Sequence, residues 1–191
     1  MACDSTDSAL LIVDLQLKWS RDDYIKRDYP NFKENVQKLV DFARRNHMLI
    51  IHIYADYNED DTLWYDKGFL PFRDNPPDLD IVQPLEHEKI IHKSTANAFY
   101  KTTLDEYLRS KRIRRVYGCG LVTSVCVLNT IHGAYNRGYE TFVVGDCCAD
   151  YPVALHHLII DRYSRNHTWK PVRIADGLKE CGVSGPLRAL L

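Results

Sequence analysis

The chain has 191 residues, 45% of them hydrophobic and 27% charged, and 25 Lys+Arg against 26 Asp+Glu leave a net charge of -1. This profile excludes a disordered chain and a mini-protein that depends on staples, and it offers no basic footprint for nucleic acid or an anionic membrane. No apolar run approaches the ~20 residues of a bilayer span. The opening MACDSTDSAL has neither the basic nor the apolar part of a secretory leader. The six cysteines, Cys3, Cys119, Cys126, Cys147, Cys148 and Cys181, form no CxxC pair. Free thiols in a reducing cytoplasm are therefore expected.

In chain order, short continuous apolar runs alternate with helical patterns. ALLIVDL (9–15) is the first run. NFKENVQKLVDFARRN (31–46) follows, with Phe32, Val36, Leu39, Val40 and Ala43 on one face at helical spacing. MLIIHIYA (48–55) is the next run, and EKIIHK (88–93) the one after. Between them, residues 57–83 break the rhythm: rich in Asp, Pro, Gly and aromatics, they are long for a connection and suggest a lid or an oligomer contact. TTLDEYLRSK (102–111) reads as helix, RRVYGCG (114–120) as strand, TSVCVLNTIHGAYNRG (123–138) as a helix closed by Gly138, ETFVVGD (140–146) as strand and VALHHLIIDRYSRN (153–166) as helix. Runs of this kind are strands buried on both faces. The expected fold is α/β, a Rossmann-like three-layer αβα sandwich with a central, mostly parallel sheet, and a single domain over 1–191.

In such sheets chemistry collects where strands end and the next helices begin. Asp14 closes the first apolar run, Lys93 closes EKIIHK, and Cys126 follows GCGLVTS. With Thr123 as N-cap, Cys126 falls in the first helical turn, where the helix dipole favours a thiolate and main-chain N–H groups can hold an oxyanion. Taken singly, each has a plain structural reading: a packed cysteine, a turn aspartate, a lysine at a strand terminus. Together, at one edge of one sheet, they make a nucleophile, a proton acceptor and a cation.

ALLIVDLQ and the segment HKSTANAFYKTTLDEYLRSKRIRRVYGCGLVTSVCVLNTIHGAYNRGYETFVVGDCCAD resemble, in order and over nearly the whole chain, the isochorismatase-like cysteine hydrolases. That family also contains nicotinamidases, N-carbamoylsarcosine amidases, ureidoacrylate amidases and biuret hydrolases. The resemblance implies a catalytic triad of Asp14, Lys93 and Cys126, a cis peptide at Leu121–Val122 and an oxyanion hole from the N–H groups of Val122 and Cys126. It also implies substrate contacts from Gln16, Trp19 and Phe99; Tyr57 is a further candidate from its place on the long insert, and for Tyr57 and for Trp64 on the same insert core packing is the plainer reading. Two positions depart from the pattern: Ser124 stands where the family often has Asp, and Asn97 where Ser often precedes Ala-Phe.

Nicotinamidases of this family carry an Asp followed by spaced histidines that hold a metal. Here YADYNEDDTLWYDKG (54–68) has Asp56 but no histidine until His87, so no metal and no other cofactor is expected, and His52, His87 and His92 read as structural. Isochorismatases proper lack the cysteine. Keeping Cys126 argues for cleavage of a small amide or ureide, a non-peptide C–N bond, through a thioester. Vinyl ether hydrolysis of isochorismate, releasing pyruvate, stays open because Asp14 is present too. The resemblance also implies a homodimer or homotetramer acting on a small molecule. Three rivals are weaker: a nucleotide loop at GCGLVT, which lacks the third glycine; a redox pair at Cys147–Cys148; and a retired family member that only binds or scaffolds.

Overall fold

The computed structural model describes residues 5–56, 76–165 and 170–172. The apolar runs form strands because Val, Ile and Leu buried on both faces suit a covered parallel sheet. β1 (Ser8–Val13) is buried along its whole length. The short helices α1 (Leu17–Ser20) and α2 (Asp23–Asp28) follow, then α3 (Phe32–Arg45), which buries the predicted stripe of Phe32, Val36, Leu39, Val40 and Ala43. Next come β2 (Leu49–Ala55), β3 (Lys89–Lys93), α4 (Leu104–Ser110) and β4 (Arg115–Leu121). A π-helical turn (Thr123–Val127) leads into α5 (Leu128–Tyr135), and β5 (Glu140–Ala149), α6 (Val153–Ser164) and β6 (Lys170–Val172) complete the order.

The six strands lie in the order β3-β2-β1-β4-β5-β6, and every pairing is parallel. The chain runs from β1 outward to β2 and β3, then returns to β4 and runs outward the other way. Right-handed crossovers in opposite directions put their helices on opposite faces, which gives the αβα sandwich. The strand order reverses between β1 and β4, and the carboxyl ends of those strands open the crevice where such sheets bind ligands. No helix among the described residues is long and apolar enough to cross a membrane.

Three local features differ from the sequence expectation. β5 does not stop at Asp146. It bulges after Val143, re-pairs Cys148 with Gly120, and ends at Ala149, because Cys147, Cys148 and Ala149 are buried. β6 was not expected, because Pro171 breaks the strand pattern; a proline is tolerated there since β6 is an edge strand. Thr123 is the first residue of its turn rather than the N-cap, which is Val122, and the turn is π rather than α. The Thr123 hydroxyl is committed across the fold, to β5 and α6, instead of back onto its own turn.

Of the insert at 57–83, only the returning end is described. Pro77 bridges to Gln16, and Asp78 is buried, receiving Ser20 Oγ at 2.6 Å and Arg21 Nε at 3.3 Å. Tyr57 and Trp64 lie outside the described residues, as do Cys3 and Cys181.

Candidate active site

β1 delivers Asp14 to the crevice. Its N–H donates to Ile53 O at 2.9 Å, and its backbone takes φ 54°. This left-handed conformation is open to Asp because its short side chain tolerates it. β3 delivers Lys93, whose register partner is Ala55 on β2. β2 separates β3 from β1, so a side chain on β3 must cross it to reach Asp14. The methyl of Ala55 leaves room for the lysine stem, and a lysine has the length. Gln16 fixes that crossing point: its Nε2 donates to Ala55 O at 3.1 Å, and Ala55 N–H donates to its Oε1 at 2.8 Å.

β4 delivers Cys126. Gly120 has φ 120°, and a Cβ there would stand 2.0 Å from Val13 O. Only glycine lets the end of β4 come against the end of β1 one residue before Asp14. The Leu121–Val122 bond is cis, as is Tyr151–Pro152. Val122 O then receives the N–H groups of Val125 and Val127, both at 3.2 Å, which closes the turn that carries Cys126. α5 is tied to the loop after Lys93: Thr130 Oγ1 accepts from Ala98 N–H at 3.2 Å and donates to Ala96 O at 3.4 Å.

The three side chains meet through the lysine. Lys93 Nζ donates to Asp14 Oδ2 at 2.8 Å and to Cys126 Sγ at 3.5 Å. Exposure is 3% for Asp14, 1% for Lys93 and 9% for Cys126. Burial alone disfavours a charged Lys93, but the Asp14 carboxylate and the Cys126 sulfur outweigh it and hold the ammonium above its ordinary pKa. Asp14 Oδ1 is buried and has no hydrogen-bond partner among the described residues. A buried acceptor without a partner is uncommon in folded proteins.

The other thiols differ in kind. Burial pushes Cys119 up to about 12, and pushes Cys147 and Cys148 well above the ordinary thiol range. All four described cysteines are free, so the vicinal pair is not bridged. Of the three histidines considered as ligands, His52 Nε2 lies 2.8 Å from Glu88 Oε2 inside the fold, and His92 Nδ1 lies 3.8 Å from Asp56 in an exposed pair. Among the described residues, no group of His, Cys, Asp and Glu is arranged to hold a metal.

The expected substrate contacts separate. Gln16 is next to the triad, but its amide is engaged on the Ala55 peptide. Trp19 is half-buried on α1, with Lys18 Nζ 5.7 Å from its ring centre. Phe99 is buried in the core that also contains Cys126. The turn in which Phe99 N–H donates to Asn97 Oδ1 at 2.9 Å directs its ring into the core, 6.2 Å from Tyr139 and 4.8 Å from the Arg137 guanidinium. Asn97 has a packing role as well: a Cβ on Gly133 would meet its Oδ1 at 2.6 Å.

Sequence reasoning missed the frame behind the nucleophile turn. Asp150 Oδ2 accepts from Ser124 N–H at 2.6 Å, and His156 Nδ1 lies 2.8 Å from Thr123 Oγ1. Asp150 ends the family-like segment, but nothing in the pattern says that it reaches back 26 residues. His156 sits in a His-His pair that reads as a half-buried helix face.

The fold is a parallel α/β sheet with an acid, an ammonium and a thiol joined at its carboxyl edge. Residues 8–173 match the isochorismatase domain, and the chain belongs to the isochorismatase family. It is 29% identical over 145 residues to the isochorismatase family protein YrdC of Bacillus subtilis (strain 168), covering 75% of this chain and 74% of that one. It is 27% identical over 130 residues to the N-carbamoylsarcosine amidase of an Arthrobacter species, covering 61% of this chain and 48% of that enzyme. The solved structure of a cysteine hydrolase from Pseudomonas syringae pv. phaseolicola 1448A shares the fold, with TM-score 0.78 and 19% identity over 93% of each chain.

Proposed function

We propose that this chain hydrolyses a small amide or ureide through a thioester on Cys126. The observation that carries the reading is the buried Lys93 ammonium, 2.8 Å from Asp14 Oδ2 and 3.5 Å from Cys126 Sγ. An ammonium so placed stabilises a thiolate beside the carboxylate that receives its proton. The similarity to an N-carbamoylsarcosine amidase supports the same chemistry.

Asp14 takes the Cys126 thiol proton, and the sulfur attacks the substrate carbonyl carbon. The N–H groups of Val122 and Cys126 receive the oxyanion; each such donor is typically worth ~3–4 kcal/mol of barrier. The tetrahedral adduct collapses, the C–N bond breaks, and Asp14 returns its proton to the leaving nitrogen. Asp14 then deprotonates a water that attacks the thioester; the adduct collapses with cleavage of the C–S bond, the acid leaves, and Asp14 returns the proton to the Cys126 sulfur. Gln16 serves this site as a positioning residue, holding the Ala55 peptide over which Lys93 passes.

One observation favours a second reading. A vinyl ether needs a proton donor and no nucleophile, and Asp14 Oδ1, buried and unpartnered among the described residues, is an oxygen that would carry that proton. A panel of small primary amides, ureides and isochorismate separates the two. The wild type should release ammonia from at least one amide or ureide, and Cys126→Ala should release none while keeping its fold. Pyruvate from isochorismate that survives Cys126→Ala, with no ammonia from any amide, would overturn the thioester reading.

A further inference from the structure

Thr123 opens the turn that carries Cys126, and its hydroxyl has a single proton to give. Oγ1 lies 3.1 Å from Ala149 O, which can only accept, and 2.8 Å from His156 Nδ1. Both bonds form together only if Thr123 donates to the carbonyl and Nδ1–H of His156 donates to Thr123 Oγ1. Nδ1 of the imidazole therefore carries a proton, as assigned from the hydrogen-bond network.

The surroundings favour the neutral ring, with Nε2 unprotonated. His156 is buried on α6, its ring edge-on to Tyr29 with centres 5.6 Å apart, and His157 lies 5.2 Å away. Burial, followed by the nearby His157, lowers its pKa to about 4 against the opposing pull of Asp150. The next peptide of the turn is held from the same side. The buried Asp150 accepts Ser124 N–H at 2.6 Å through Oδ2 and Tyr151 N–H at 2.8 Å through Oδ1. Tyr29 OH fixes Asp150 in turn, donating to its carbonyl at 3.0 Å and receiving its N–H at 3.2 Å. Tyr29, Asp150 and His156 thus form one frame around Thr123 and Ser124, and this turn carries the Val122 and Cys126 N–H groups.

We propose that His156 is a positioning residue for the nucleophile turn: it fixes the Thr123 hydroxyl, and Asp150 holds the adjoining peptide, so that Cys126 and its main-chain donors stay aligned. The kinetic part of this claim rests on the hydrolase reading; the structural part does not. His156→Phe keeps an edge-on ring and removes the donor, while His156→Asn returns an N–H near the position of Nδ1.

On the amide that the wild type turns over, His156→Phe should lower kcat about tenfold with KM little changed, as expected when reacting groups are misaligned by a fraction of an ångström. His156→Asn should recover most of that loss. Thr123→Val should cost as much as His156→Phe, and the double variant no more than either single one. Wild-type kcat in His156→Phe, or additive losses in the double variant, would overturn the proposal. Two measurements need no substrate: nitrogen NMR of the His156 ring, and amide exchange at Ser124 and Cys126 in wild type and His156→Phe. The proposal requires the proton on Nδ1 from pH 5 to 9 and faster exchange in the variant. A proton on Nε2, or unchanged exchange, would overturn it even if no amide is cleaved; failure of the amide panel alone would overturn only the hydrolase reading.

Discussion

Replacing Lys93 with methionine should destabilise the fold far more than losing a surface charge would. The lysine is 1% exposed, and its ammonium sits 2.8 Å from a carboxylate that is itself 3% exposed. Its pKa is raised, so the folded state holds this proton more tightly than the unfolded chain does. The stabilisation is therefore complete below the unfolded lysine value, whole at neutral pH, and lost only as pH climbs through the higher folded value. Lys93→Met removes the ammonium 2.8 Å from the buried Asp14 carboxyl, and breaking a buried pair by removing one partner typically costs about 3–5 kcal/mol. At roughly 2–4 °C per kcal/mol for a domain of this size, the midpoint of thermal unfolding should fall by about 6–20 °C. Asp14→Asn with Lys93→Met should regain most of that stability, since both charges are gone and Asn tolerates the φ of 54° at position 14. Both variants should lack turnover. Calorimetric or urea unfolding at pH 7 reads the series. A Lys93→Met protein within about 1 kcal/mol of wild type would refute the reasoning, because that is the worth of an exposed pair.

Gly120→Ala should be among the most damaging single substitutions, since the new methyl would stand 2.0 Å from Val13 O at a φ of 120°; a yield of folded protein equal to wild type would contradict this. Under brief alkylation at neutral pH, the Cys126 peptide should label well before Cys119, Cys147 or Cys148, whose thiols burial holds far above neutrality, and peptide mass mapping checks the order. Acid should erode stability through Glu88. Burial alone would raise its pKa, but Arg44, the Leu85 N–H and His52 outweigh that and hold it at about 2. Its contribution, about 3 kcal/mol at most from a shift out of 4.5, is present above pH 4.5 and lost as pH falls towards 2; Glu88→Gln should flatten that limb of the unfolding curve.

The sheet was legible because its strands are buried on both faces, so apolar runs mark them without knowledge of what covers them. The meeting of Asp14, Lys93 and Cys126 was legible because each interrupts or follows such a run where a parallel sheet presents its carboxyl edge. What escaped depends on contacts between distant segments. β6 hides behind Pro171, which only an edge position permits. The packing of Phe99 against Tyr139 and the Arg137 guanidinium, set by the turn at Asn97, is encoded by no spacing rule. Thr123 looks like an N-cap, but its hydroxyl is claimed by Ala149 and His156 from other elements, and the turn opens into a π geometry instead. His156 and Asp150 carry no motif; their partners are set by tertiary packing alone.

The most direct test of the thioester account is rapid-quench mass spectrometry of the intact protein during turnover of an amide it cleaves. The account requires an acyl group on the peptide that contains Cys126, appearing together with the first equivalent of ammonia and decaying as acid forms. Ammonia released over repeated turnovers with no acyl group on Cys126, in a quench fast enough to catch the first turnover, would contradict it.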